Sequence, residues 1–471
     1  MIALVCVALS AIGFYLSFSV EPFWALAWLA PAPILWLALT RPKPALTFLC
    51  AVSAYTLGGL YLAEAYASLF PPAVMALALV APALCFGFAV LGAGFAARRL
   101  GNWAGVFAFA SLWTALDYGL SLGPDGAAIS PAYTQVAAPL LVQASALFGL
   151  WSITFLLGFV SAATAVAVSN KRASLLAAAA TVFLVNAGYG AWRMSAPAQG
   201  AAVQIGLLAD DRTVDAAFKD DPAVAEGTLR SYADATRDLS HRGARIVVWP
   251  EKVAVLSPGW RDHALEQLRS LTNEAGLAVI AGVEERGDRR RNRAYVVSPH
   301  NAPWRYDKRH LVQGLESKFT VGEAAGAFGQ GQGVAICKDM DFPQTLRADA
   351  RSGHLTMVFV PAWDFNRDGW WHARIAMLRG VENGFAVARA AKEGLLTLSD
   401  AYGRQIARAP SSRERMVAVT GTLRAGPGPT LYTRIGDVFA WACVGIGALL
   451  VAAAGLARRP RCLAPDVVES A

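Results

Sequence analysis

The chain has 471 residues, of which 55% are hydrophobic and only 16% charged. That is too apolar for an ordinary soluble protein. The net charge of +8 does not imply nucleic-acid binding, because much of it sits in short basic groups flanking apolar stretches.

Between Met1 and Trp192 the only Lys or Arg residues are Arg41, Lys43, Arg98, Arg99, Lys171 and Arg172. The stretches between these pairs are long enough to cross a bilayer, which takes about 20 residues each. The pattern predicts helices near 2–20, 22–40, 44–69, 72–97, 102–121, 136–169 and 173–192, and an eighth near 436–457. The first segment lacks a basic start and an Ala-x-Ala cleavage site, so it reads as a helix and not a signal peptide. With Met1 in the cytoplasm, all three basic pairs and the tail Arg458-Arg459-Pro-Arg461 fall on the cytoplasmic side, and the opposite loops hold no Lys or Arg. This positive-inside pattern predicts a seven-helix transmembrane domain over 1–192, an extracytoplasmic domain over 193–434, and a C-terminal helix with a cytoplasmic tail over 435–471.

Of the six cysteines, Cys6, Cys50, Cys85 and Cys443 fall in expected spans and Cys462 in the tail. Cys337 alone belongs to the outer domain, so it is expected to be a free thiol on the oxidising side.

Residues 201–422 alternate β-like runs with amphipathic helices. Strands are expected at Ala202–Leu208, Arg245–Trp249, Ala278–Val283, Ala294–Ser298, Gly333–Cys337, Thr356–Pro361, Ala386–Arg389, Leu395–Leu398 and Met416–Thr422. Helices are expected at Pro222–Arg242, Arg261–Ala275, Pro343–Ser352 and Trp370–Asn383. Such alternation predicts a layered α/β domain. Arg193–Gly200 and Ala425–Thr430 read as hinges to the membrane part.

Three residues stand where a strand runs out into a loop: Glu251 in Val-Val-Trp-Pro-Glu, Lys308 in Tyr-Asp-Lys-Arg-His and Cys337 in Ala-Ile-Cys-Lys-Asp. Taken singly, each has an ordinary reading as a helix-capping acid, a solvated lysine or a small buried hydrophobe. Together they offer a carboxylate base, a cationic oxyanion stabiliser and a thiol nucleophile.

Trp249-Pro250-Glu251, Lys308-Arg-His-Leu-Val and Ile336-Cys337-x-Asp339 with Phe342-Pro343 resemble the carbon–nitrogen hydrolase (nitrilase) superfamily. Gly58-Gly59-Leu-Tyr61, Leu116-Asp117-Tyr118, Tyr133-Thr-Gln135, Gln143 with Gly149–Phe155, and Pro361-Ala-Trp363 with Trp371-His372-Ala-Arg374 extend the resemblance to its membrane branch, the bacterial apolipoprotein N-acyltransferases. The resemblance implies a multi-span helical membrane domain plus an αββα sandwich with a Glu251–Lys308–Cys337 triad. It implies transfer of a fatty acyl chain from a phospholipid, through a thioester, to the N-terminal amine of a diacylglyceryl-cysteine lipoprotein at the bacterial inner membrane. It also places Glu316, Lys338, Asp339 and Trp363 as supporting residues. The chain departs from that branch in having Lys338-Asp339 where an aromatic and Glu are usual, and Gln313-Gly-Leu-Glu316 for Pro-Phe-Gly-Glu. Cys-x-Asp with Phe-Pro stands nearer the soluble nitrilases. The rival readings are a membrane-anchored amidase using the same triad and a catalytically silent lipid-binding scaffold.

The remaining polar features have modest readings. Glu316 could instead pair with Lys318, and Asp339 could be a structural acceptor. Glu64 and Asp117 lie at or within expected spans, where ionisable groups are costly; both are read as snorkelling to the outer interface. Arg286–Arg293 reads as a solvated hairpin loop, and Gly329-Gln-Gly331-Gln-Gly333 as a flexible turn, since it lacks the context of a phosphate loop. His310, His354 and His372 show no metal-ligand spacing, so neither metal nor cofactor is expected.

Overall fold

The computed structural model describes residues 1–41, 43–196 and 200–457. The tail with Arg458, Arg459, Arg461 and Cys462, and the centre of the first hinge, lie outside the described residues.

The helical part comprises α1 (Ile2–Phe18), α2 (Ala32–Thr40), α3 (Pro44–Gly58), α4 (Tyr61–Tyr66), α5 (Pro72–Leu100), α6 (Asn102–Ser121), α7 (Ser145–Phe148), α8 (Leu150–Asn170) and α9 (Ala173–Met194). Among the described residues, five helices are long and apolar enough to cross a membrane: Pro44–Tyr66, Pro72–Leu100, Leu150–Asn170, Ala173–Met194 and Val438–Leu456. The helix expected over 136–169 is corrected: 3-10 turns occupy Pro131–Ala137 and Pro139–Leu141, and the long helix begins only at Leu150. Pro139 and Gly149 explain the break. Gly149 has φ +72°, and a Cβ there would stand 2.6 Å from the ring of Tyr432, so the chain turns where only glycine fits.

Asp117 also departs from expectation. It does not snorkel but is buried, its Oδ2 accepting from Ser130 Oγ (2.7 Å) and Thr154 Oγ1 (2.8 Å). Those bonds offset the cost of a buried carboxyl group and tie α6 to the loop before α8. Glu64 accepts from the Tyr15 hydroxyl at 2.7 Å in an exposed setting.

The outer domain carries β1 (Ala202–Ala209), α10 (Pro222–His241), β2 (Ile246–Val248), β3 (Val255–Leu256), α11 (Arg261–Ala275), β4 (Ala278–Glu285), β5 (Arg291–Val297), β6 (Trp304–Asp307), β7 (Ala327–Phe328), β8 (Gln332–Val334), α12 (Pro343–Gly353), β9 (Met357–Trp363), α13 (Gly369–Asn383), β10 (Ala386–Lys392), β11 (Leu395–Ser399), β12 (Gln405–Pro410) and β13 (Val417–Arg424). Two helices follow, the short α14 (Leu431–Ile435) and the long apolar α15 (Val438–Leu456). One sheet runs β13-β1-β2-β4-β5-β6, with β3 beside β4; the other runs β12-β11-β10-β9-β8-β7.

Strand alternation builds the layers. In β1 and β2, Ile205, Leu207, Ile246 and Val248 face a core between the sheets, while Leu208, Val247 and Trp249 face α10 and α11. In β9, Met357 and Phe359 point into the same inner core. Val358 and Val360 point the other way, onto α12 and α13. The result is an αββα sandwich. Its α12/α13 layer does not end at solvent: Leu346, Ile375, Met377 and Val381 share one continuous apolar cluster with Phe86, Trp113 and Trp151 of the helical part.

Polar contacts fix that seat. Arg374 of α13 reaches the carbonyls of Ser19, Val20 and Tyr133, and Trp371 Nε1 donates to Ala128 O at 2.9 Å. The backbone N–H of Leu150 donates to Glu382 (2.6 Å), and Arg379, fully buried, bridges Glu382 and the Tyr133 hydroxyl.

Candidate active site

Glu251 leaves β2 through Trp249 and Pro250. Its backbone N–H donates to Ala362 O at 3.2 Å, and Gly282 of β4 passes so close that a Cβ there would lie 2.4 Å from Pro250 O. Lys308 follows β6, held by its N–H to Asn292 O (2.8 Å) and its carbonyl to Gly322 N (2.8 Å). Cys337 opens a 3-10 turn, Cys337–Asp341, at the end of the β8 segment, with φ +44°. Left-handed backbone at a non-glycine residue stores strain and aims the side chain out of the turn.

The structure brings Glu251, Lys308 and Glu316 together in a buried cluster. Lys308 Nζ lies 2.9 Å from Glu251 Oε1 and 2.8 Å from Glu316 Oε2. Glu316 thus pairs with Lys308 and, at 3.3 Å, with Lys252, and the alternative pairing with Lys318 does not form. Asn292, fully buried in β5, donates to both Glu251 (2.5 Å) and Glu316 (2.6 Å). Asn292 escaped the sequence reading because it lies in the arginine-rich run taken as a solvated loop. The tip of that run, Gly287–Arg289, is an exposed β4–β5 hairpin loop as read, but its end turns inward: Arg293 is buried against Asp307 and Glu285, while Arg286 and Arg290 pair with Glu284. The available signal was a lone amide in a strand of otherwise alternating residues.

The electrostatics follow from this packing. Burial would lower the Lys308 ammonium, but Glu251 and Glu316 hold its pKa well above the usual lysine range. Burial would raise Glu316, yet Lys308 and Lys252 bring it down to about 2. Burial, and then the Glu251 carboxylate, push the Cys337 thiol well up, against the pull of Lys308. The resting thiol is thus protonated and needs a base at the moment of reaction. Its Sγ lies 3.5 Å from Trp363 O.

The other expected supporting residues frame the cluster. Asp339 is a structural acceptor four times over: Oδ2 takes Ile336 N (2.9 Å) and the Tyr306 hydroxyl (2.8 Å), and Oδ1 takes Arg309 N (3.1 Å) and His310 N (2.8 Å). It thereby ties the segment before Cys337 to the segment after Lys308. Lys338 reaches Asp125 of the helical part at 2.8 Å. The Trp363 ring carries Lys392 Nζ 3.6 Å from its centroid, and Phe218 packs on it at 5.4 Å. Lys392 was not singled out from sequence; buried beside Lys252, its pKa falls to about 7.

Among the described residues one group of potential metal ligands does assemble, contrary to the spacing argument: ligand atoms, one each from Asp364, Asp368 and His372, lie within 4.8 Å of one another. They are already engaged. Arg389 pairs with Asp364, and Asp368 accepts from Tyr66 (2.7 Å), Phe365 N (2.8 Å) and His372 (3.1 Å). Arg389 supplies the charge a cation would bring. The glycine-rich segment is the turn of the β7–β8 hairpin, with Gly329 and Gly331 at positive φ.

The carbon–nitrogen hydrolase family model matches residues 201–420, and the apolipoprotein N-acyltransferase N-terminal domain matches residues 10–163. The outer domain is therefore of the carbon–nitrogen hydrolase type, carried beside helices long and apolar enough to cross a membrane. The chain is 29% identical to an apolipoprotein N-acyltransferase of Geobacter metallireducens, over 96% of this chain and 95% of that one. It is 28% identical to one of Allorhizobium ampelinum, over 84% and 82%. An amidase from Nesterenkonia sp. overlays 52% of this chain and 97% of its own at 19% identity, with a TM-score of 0.40. The chain thus joins an apolipoprotein N-acyltransferase N-terminal domain to a carbon–nitrogen hydrolase domain, and it is similar to apolipoprotein N-acyltransferases over most of its length.

Proposed function

We propose that this protein transfers a fatty acyl chain from a membrane phospholipid, through a thioester on Cys337, to the N-terminal amine of a diacylglyceryl-cysteine lipoprotein. The supporting observation is the buried Glu251–Lys308–Glu316 cluster acting electrostatically on the one outer-domain thiol, in a sandwich whose helical layer is continuous with apolar helices.

Glu251 takes the proton from Cys337 Sγ as the sulfur attacks the ester carbonyl. Lys308 and the backbone N–H of Lys338 hold the oxyanion. Collapse expels the lysophospholipid alkoxide, which takes the proton back from Glu251. The lipoprotein amine then attacks the thioester, Glu251 accepts its proton, and the thiolate leaves and is reprotonated. Glu316 has a distinct part: when Glu251 is protonated, Lys308 keeps one carboxylate partner, so the ammonium is never left buried and uncompensated.

Mass spectrometry of the Cys337 peptide tests the sequence of steps. Wild type given phospholipid alone should hold an acyl group on Cys337, whereas Glu251→Gln should hold none. A diacylglyceryl peptide with a free amine should discharge the thioester, and the same peptide with a blocked amine should leave it in place. Free fatty acid as the main product, whatever the peptide, identifies a hydrolase, and the amidase reading replaces this one.

The basic pairs support placing the outer domain on the periplasmic side of the inner membrane. A reporter fused after Arg193 should therefore report an extracytoplasmic location; a cytoplasmic signal removes access to lipoprotein and ends the proposal.

A further inference from the structure

The turn that carries Cys337 is not held by its own domain alone. Two of its residues, Lys338 and Asp341, contact the loop Leu122–Ser130, which belongs to the helical part. Lys338, the residue after the thiol, is almost fully buried, and its Nζ lies 2.8 Å from Asp125 Oδ1, against 3.9 Å from Asp341 Oδ2. At the far end of the turn, Asp341 O accepts from Ala127 N at 2.7 Å. Between these contacts Gly126 has φ +57°, and a Cβ there would lie 2.4 Å from Asp341 O, so the approach requires glycine.

The loop is itself anchored at its base. Ser130 Oγ is bonded to the buried Asp117, which Thr154 of α8 also holds, and Ala128 O accepts from Trp371 of α13. A rigid path therefore runs from the interior of the helical part to the residue after the thiol. From there Asp339 extends it to the backbone on the far side of Lys308.

We infer that Asp125 and Lys338 are positioning residues, through which the loop Leu122–Ser130 sets the nucleophile turn against Glu251 and Lys308. The inference rests on the reading of Cys337 as nucleophile. The ion pair touches no reacting atom. It fixes the peptide whose N–H faces the oxyanion, so its loss should slow the chemical step and leave phospholipid affinity alone.

A double-mutant cycle on the full-length enzyme in phospholipid vesicles decides it. Asp125→Asn and Lys338→Met should each lower the rate of acyl-Cys337 formation about tenfold at saturating phospholipid, with KM within about twofold of wild type. The double variant should be no slower than the slower single one, because both changes break one interaction. Asp125→Glu should recover most of the rate. Asp125 is exposed on its outer side, so its substitution leaves folding intact. Wild-type rates in Asp125→Asn, multiplicative losses in the double variant, or losses confined to KM each overturn the inference. Turnover by Cys337→Ala would instead overturn the nucleophile itself, which keeps the two failures distinct.

Discussion

Cys337→Ala should insert and fold yet lose acyl transfer by about four orders of magnitude or more, as removal of an attacking side chain does elsewhere. Folding survives because Sγ makes one weak hydrogen bond, to Trp363 O, and sits only at the edge of the inner core, and because alanine bears the positive φ no worse than cysteine. Cys337→Ser should be nearly as inactive. The thiol is already pushed up by burial and by Glu251, and a hydroxyl is far harder for a carboxylate to deprotonate. A labelled-phospholipid transfer assay reads both variants, and turnover above a few per cent in Cys337→Ala would move the nucleophile elsewhere.

Lys308→Met should be the most damaging change that leaves the thiol in place. It removes the one cation shared by Glu251 and Glu316, both of which are almost completely buried. Breaking a buried pair from one side costs about 3–5 kcal/mol, and the oxyanion loses its charged donor as well. The sign of the pH effect follows. In wild type Glu316, held by Lys308 and Lys252 down to about 2, contributes stability that is present above the ordinary carboxyl range and lost as pH falls through its depressed folded value. Without Lys308 most of that contribution is gone, so the deficit against wild type is largest at neutral pH and shrinks in acid. The apparent unfolding temperature of Lys308→Met should thus approach that of wild type on acidification, whereas adding Glu251→Gln and Glu316→Gln should restore stability at neutral pH without restoring transfer. An unfolding temperature equal to wild type at pH 8 would mean the lysine carries no structural charge balance.

Much of this architecture was legible because two periodicities write it directly. Strands such as β1 and β9 alternate between cores, so period two marks them, and α10 and α11 begin and end at the expected residues within one position. Glu251 and Cys337 were visible because each follows an apolar run, whereas Lys308 follows Trp304-Arg-Tyr-Asp and stood out through the Lys308-Arg-His-Leu-Val resemblance. The misses have physical causes. β6, β7 and β12 are short or half-exposed, so they carry little apolar signal. The break before Leu150 depends on the ring of Tyr432, nearly three hundred positions away in sequence. Asn292 lies among arginines and Lys252 beside Glu251 in an otherwise apolar stretch, and only the fold reveals that Asn292 turns inward onto Glu251 and Glu316 and Lys252 onto Glu316.

The antiparallel pairing of β1 with β13, from Ala202 opposite Arg424 to Ala209 opposite Val417, sets an order on biosynthesis. β1 emerges directly after α9, but its outer neighbour is among the last segments made, just before α15. Until Val417–Arg424 arrives, β1 presents a row of unpaired amides and carbonyls to its surroundings, a template for wrong partners. Closing that seam joins chain ends separated by the whole domain, a slow class of contact. Among the described residues the thirteenth strand seals the first, and the apolar α15 follows it with only the short α14 between. Completion of the sheet and entry of α15 into the bilayer are therefore nearly one event in the life of the chain.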